Sequence, residues 1–293
     1  MMDIAAVDTA IRAERDAGAG GDGLSHGLSL CGAIARRSDP DRFFCALFLP
    51  EPVREDAFSV IAFNHESVRA LTGMQSWSVA GPMAGLIRLQ WWREIIEGAA
   101  HPHEVAPGLR AALARAPALR RTLLRILDAR EAEAEGLTDW PSWRAAMRGG
   151  AGGVQVAIAQ RAGLGDPVAL QRIEALGAAY GAGGLLRHLD IVLAAGRCPL
   201  PDTALQAIGL SREALRNGAP PGLLDPLRVR LREEGRAFLA QALPVRLRRD
   251  SRAAALPGVL ARRDLARPDG RRAAGRGLGD RLAVMAAMLS GRI

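Results

Sequence analysis

Arg187 and His188 adjoin in a stretch whose apolar residues recur at helical spacing, and Gly177, Gly181 and Gly184 precede His188 on the same face. A guanidinium suits phosphate or carboxylate because its planar fork presents paired donors. Arg187 therefore either grips an anionic ligand or pairs with an acid such as Glu94 or Asp128. Glycine inside a helix costs about 1 kcal/mol relative to alanine. A file of glycines persists where something must come close, either another helix or a ligand. Asn64 lies on an apolar helical stripe with Val53, Ala57, Val60, Ile61, Val68 and Leu71. It is either a buried amide satisfied by backbone or a ligand contact. The candidate cavity or anion-binding residues are Asn64, His65, Arg88, Gln90, Gly184, Arg187 and His188.

The elements that must position these residues are helical, and no alternating strand pattern appears. Pro52 opens a helix to about residue 71. Gly81-Pro82 breaks the chain before a helix over 83–97. Residues 107–135 read as one or two helices interrupted near Pro117. A helix over 143–161 carries a soft segment at 149–153. The longest pattern covers 168–195, with Gly196 as its C-terminal stop. The tail from Leu205 is helical with proline punctuation, and 280–290 closes it. Residues 262–279 are basic and glycine-rich and read as a solvated loop. Glu131, Glu133 and Glu135 alternate and read as a solvated face. Residues 1–27 read as a mobile leader, and 28–293 as one α-helical domain.

Composition narrows the class. The 293 residues are 49% apolar, enough for a large core. All 39 basic residues are arginine, which with abundant Ala and Gly reads as a GC-rich bacterial coding bias. Aromatics make up 4% and the arginines are spread along helices, which argues against a nucleic-acid surface. Cys31, Cys45 and Cys198 lack metal-ligand spacing and fit a reducing cytosol without a disulfide framework. No apolar run reaches the roughly 20 residues of a membrane span, so membrane contact is at most peripheral. Asp3, Asp8, Glu14 and Asp16 argue against a secretory signal or transit peptide.

Two segments carry a family resemblance. Residues 41–50, DRFFCALFLP, lead through Arg54 into 57–63, and 181–192 lead into Gly196-Arg197-Cys198-Pro199-Leu200-Pro201. These resemble the squalene/phytoene synthase family, over about 39–202 and faintly beyond. The resemblance implies an all-α, single-domain isoprenoid-synthase-type bundle around a central cavity. In the family, aspartates on two helices hold Mg²⁺ against the diphosphate of an isoprenyl substrate, and an arginine like Arg187 supports that diphosphate. Hard cations held by several oxygens stabilise the charge that builds on a diphosphate leaving group. The corresponding stations here are Val68, Arg69, Thr72, His188 and Val192. Glu66 and Asp190 do not restore them, since each lies about 200° around its helix from Val68 or His188.

The run Arg88-Leu89-Gln90-Trp91-Trp92 is similar to a divergent branch that includes mitochondrial proteins assisting respiratory complex I assembly. The paired tryptophans read as core anchors or as walls of a prenyl tunnel. The resemblance implies a catalytically degenerate member acting as an assembly or scaffold factor, or as a binder of an isoprenoid or other lipid. No cofactor is expected of it. The alternative is an active head-to-head prenyltransferase, using Mg²⁺ and two isoprenyl diphosphates. The expected partners are an isoprenyl diphosphate or other lipid and a protein of respiratory complex assembly. The expected location is cytoplasmic or peripheral to the inner membrane.

Overall fold

The computed structural model describes residues 27–72, 80–215, 222–244, 247–267 and 275–293. Apart from Gly27, the leader expected over 1–27 lies outside them. The described residues are helical, with no strand among them. The order is α1 (Leu30–Ser38), α2 (Pro40–Ala46), α3 (Val53–Arg69), α4 (Ala80–Glu97), α5 (Ala106–Arg115), α6 (Leu119–Glu135) and α7 (Trp140–Met147). A π-helical turn (Arg148–Gly152) leads into α8 (Gly153–Arg161) and the long α9 (Pro167–Ala194). Then come α10 (Asp202–Gln206), α11 (Arg212–Leu215), α12 (Asp225–Ala242), a 3₁₀ segment (Arg249–Ala255), α13 (Pro257–Ala266) and α14 (Leu278–Ser290).

Helix starts follow local chemistry. Asp39 caps α2, accepting from the Arg42 backbone N–H at 2.9 Å, with Pro40 in the first turn. Asp139 and Ser142 form a reciprocal capping box on α7. Asp166 caps α9 ahead of Pro167. Gly196, at φ +77°, turns the chain after α9. The expected break near Pro117 separates α5 from α6. The soft glycine segment is the π turn, and the backbone stays helical at both its junctions, Met147 and Gly153.

Two helices set the frame. α3 buries residues around nearly its whole circumference, Phe58, Val60, Ile61, Ala62 and Phe63 among them. α9 packs against α8, the π turn, α12 and α13. Gly177 makes that packing possible, because a Cβ there would sit 2.8 Å from both the Ala151 carbonyl oxygen and the Gly152 Cα. Trp92 is buried and stands edge-on to Phe63 at 5.4 Å, so it is a core anchor. Trp91 stacks on His101 at 5.5 Å. Cys31, Cys45 and Cys198 are free and buried.

Candidate functional site

A cavity of about 450 Å³ opens between α2, α3, α6, the π turn and α9. α9 contributes Tyr180, Gly181, Gly184, Arg187, His188 and Val192. Val68 faces it from α3, and Asp39 and Asp41 from the start of α2. Arg130 of α6, Arg197 after α9, and Arg276 before α14 complete its charged wall. The two segments that resembled the family thus meet at one cavity. Three of the five stations, Val68, His188 and Val192, line it.

The wall is a lattice of guanidinium and carboxylate groups. Arg42 Nη1 donates to Asp39 Oδ2 at 3.0 Å, and Tyr180 Oη donates to Asp39 Oδ1 at 2.9 Å. Arg42 also donates to Gln155 Oε1 at 2.8 Å and to the Ala151 carbonyl at 3.0 Å, which ties α2 to α8 and the π turn. Arg276 Nε donates to Asp41 Oδ2 at 2.8 Å, while its two terminal nitrogens donate to Asp264 at 2.7 Å. Arg187 faces Asp41 and Asp264 at 3.8 Å each, two acids other than the Glu94 and Asp128 that the sequence offered. Glu94 and Asp128 pair with His101 and Arg93.

Behind the wall, Arg197 clasps the buried Glu133, with Nη2 2.8 Å from Oε2. Arg130 Nη2 donates to Asn64 Oδ1 at 3.0 Å, and Nη1 lies 3.5 Å from Glu133 Oε2. The Nε–H of Arg130 is buried and has no acceptor among the described residues.

Burial and charge tune these groups in opposite directions. Burial alone would raise the Glu133 carboxyl, but Arg197 and Arg130 reverse that and hold it below the usual range. Burial pushes Arg130 down to about 10, despite Glu133. For Asp41 burial outweighs Arg276, and its carboxyl lies above the ordinary value. Burial, then the Arg187 charge, lower the His188 imidazole, which favours its neutral form. Burial and the Asp39 and Asp41 charges push Tyr180 well up, so it stays a donor.

The candidates divide accordingly. Gly184, Arg187 and His188 line the cavity. Asn64 stands one step back, and its amide oxygen is satisfied by Arg130 rather than by backbone. His65 is half-buried on α3 outside the lining. Arg88 and Gln90 are exposed on α4, away from the cavity, because Leu89 and Trp92 take the inward face of that helix; Gln90 donates to Glu94 at 3.2 Å. Arg69 pairs outward with Glu66 at 3.0 Å, and Thr72 Oγ1 donates to the Arg69 carbonyl at 2.9 Å.

Two expectations are corrected. Glu133 does not belong to a solvated face: its side chain is 3% exposed. Leu119, Thr122, Leu123, Ile126, Leu127, Arg130 and Glu133 repeat every three or four residues on α6, and that inward spacing carried the signal. Arg276 is not a solvated loop residue either, since its side chain is 10% exposed and bridges two acids.

Mg²⁺ requires near-octahedral oxygen ligation. The carboxylates in or behind the wall, Asp39, Asp41, Asp264 and Glu133, are each bonded to arginine. Among the described residues, no group of three His, Cys, Asp or Glu is placed to hold a metal ion.

The fold and cavity define an all-α protein of the isoprenoid-synthase type. Its backbone is similar to a dehydrosqualene synthase solved with ligand, at TM-score 0.64 and 15% identity over 89% of this chain and 94% of that one. A squalene synthase from Alicyclobacillus acidocaldarius gives TM-score 0.58 and 17% identity, over 89% and 93%. The squalene/phytoene synthase profile matches residues 35–277, and the chain belongs to that family. The match runs well past residue 202, where the motif resemblance had faded. The chain is also similar to NADH dehydrogenase (ubiquinone) complex I assembly factor 6. The rat protein is 33% identical over 119 residues, 39% of this chain and 34% of the relative. The human protein is 32% identical over 118 residues, 39% and 33%. The aligned part is thus about a third of these relatives' length.

Proposed function

We propose that this chain uses the family cavity to bind an anionic lipid, an isoprenyl diphosphate or a lipid of similar headgroup, without ionising it. The chain also serves as an assembly or scaffold factor for a respiratory complex, in the cytoplasm or peripheral to the inner membrane. The observation that supports it is the wall itself: Val68, His188 and Val192, which the resemblance places at the family's metal stations, line the cavity, and among the described residues Asp39, Asp41, Asp264 and Glu133 are each bonded to arginine. Such a wall can hold an anionic head through guanidinium groups but cannot gather the cations that stabilise a departing diphosphate.

The buried Nε–H of Arg130 supports an anionic ligand, because an unsatisfied buried donor costs about 1 to 3 kcal/mol that an acceptor oxygen would recover. The similarity to complex I assembly factor 6 supports the assembly role.

Native mass spectrometry with farnesyl or geranylgeranyl diphosphate in EDTA tests the binding. The wild-type chain forms a 1:1 complex. Gly184→Leu fills the cavity from a position with open space around it and weakens the complex about tenfold or more. Absence of a wild-type complex, or equal binding by the variant, would contradict the proposal.

A further inference from the structure

The last helix, α14, is apolar on the side that faces water. Its core face is formed by Asp280, Val284 and Ala287. Opposite them, Leu278, Leu282, Met285 and Leu289 are 73, 53, 43 and 79% exposed. At 3.6 residues per turn these four fall within about 60° of one another. A helix on a globular surface normally turns polar residues outward, so an outward stripe of four large apolar side chains marks a contact.

The exposed charge on the two last helices has one sign. The only acids on α13 and α14 are Asp264 and Asp280; both are 2% exposed and bonded to arginine. The exposed charges there are Arg262 and Arg263 on α13, Arg281 on α14, and Arg292 just beyond it. No described helix is long and apolar enough to cross a membrane. An apolar stripe rimmed by arginine, on a helix that cannot span, suits the interface of an anionic bilayer: the leucines enter the acyl boundary and the guanidinium groups stay among phosphates.

We propose that α14 docks this protein on an anionic phospholipid surface, with Leu278, Leu282, Met285 and Leu289 inserted and Arg281 and Arg292 on headgroups. Gly275 and Arg276 line the cavity, and Leu278 follows two residues later, so the docked edge adjoins the cavity wall. The proposal does not depend on what the cavity binds.

The test is co-sedimentation of the full chain with phosphatidylcholine vesicles, with and without phosphatidylglycerol. The wild type pellets with the anionic vesicles, and raising the salt releases part of it. The double variant Leu282→Glu with Leu289→Glu lowers the partition coefficient about tenfold or more, with an unchanged circular dichroism spectrum because both positions are exposed. Arg281→Glu, a second and independent variant, lowers it on anionic vesicles only. The proposal is overturned if the wild type stays in the supernatant with anionic vesicles, or if both variants pellet as the wild type does. It is equally overturned if light scattering shows a dimer that the double variant splits while no form binds vesicles.

Discussion

Arg197 Nη2 donates to Glu133 Oε2 at 2.8 Å, joining the segment after α9 to the last turn of α6 across 64 residues of sequence. Arg130 approaches the same carboxylate from the preceding turn. One buried acid thus holds two cavity-lining guanidinium groups in place.

Glu133→Ala leaves the buried Arg130 and the half-buried Arg197 facing each other without their counter-ion. Breaking a buried pair from one side costs about 3 to 5 kcal/mol. Urea denaturation at neutral pH is expected to show a loss of that size, with the denaturant slope unchanged.

The same carboxylate gives stability a pH dependence. The folded Glu133 carboxyl titrates below its ordinary value of 4.5, since Arg197 and Arg130 outweigh the effect of burial. Its contribution is therefore fully present above that ordinary value. It is lost as pH falls through the lower folded value. Denaturation midpoints measured across the acid range should fall less steeply in Glu133→Gln than in the wild type.

The glycines of α9 separate by role. At Gly177 a Cβ meets backbone at 2.8 Å, so Gly177→Ala forces α9 off the π turn and destabilises by about 1 to 3 kcal/mol. At Gly184 a Cβ has nothing within 4 Å, so Gly184→Ala is tolerated and gains up to about 1 kcal/mol of helix propensity. Thermal melts of the two variants should move in opposite directions.

Arg276 ties the segment before α14 to Asp41 and Asp264. Arg276→Ala removes charge-assisted bonds to a fully buried aspartate side chain, a loss of about 2 to 3 kcal/mol, because Arg267 at 3.3 Å compensates only in part. Calorimetric melting of this variant beside the wild type measures it.

The helices were legible because their signals are local. The π turn sits in the glycine run at 149–153, the α5–α6 break adjoins Pro117, and Gly196 follows α9. Gly184, Arg187 and His188 line the cavity together because they fall on one helix. The charged lattice was not legible, because its pairs join elements far apart in sequence. Arg276 meets Asp41 across 235 residues, and nothing near either residue announces the other. Glu133 was misread through alternation with Glu131 and Glu135, which fits two carboxylates toward solvent but says nothing of the third. Arg88 and Gln90 were drawn in by a motif whose inward members are Leu89 and Trp92.

We propose that, with arginine holding the acids around this cavity, it binds without catalysing. Pyrophosphate release from farnesyl and geranylgeranyl diphosphate in the presence of Mg²⁺ tests it most directly. The account predicts a rate equal to the protein-free control. Magnesium-dependent release, with a head-to-head condensation product, would contradict it.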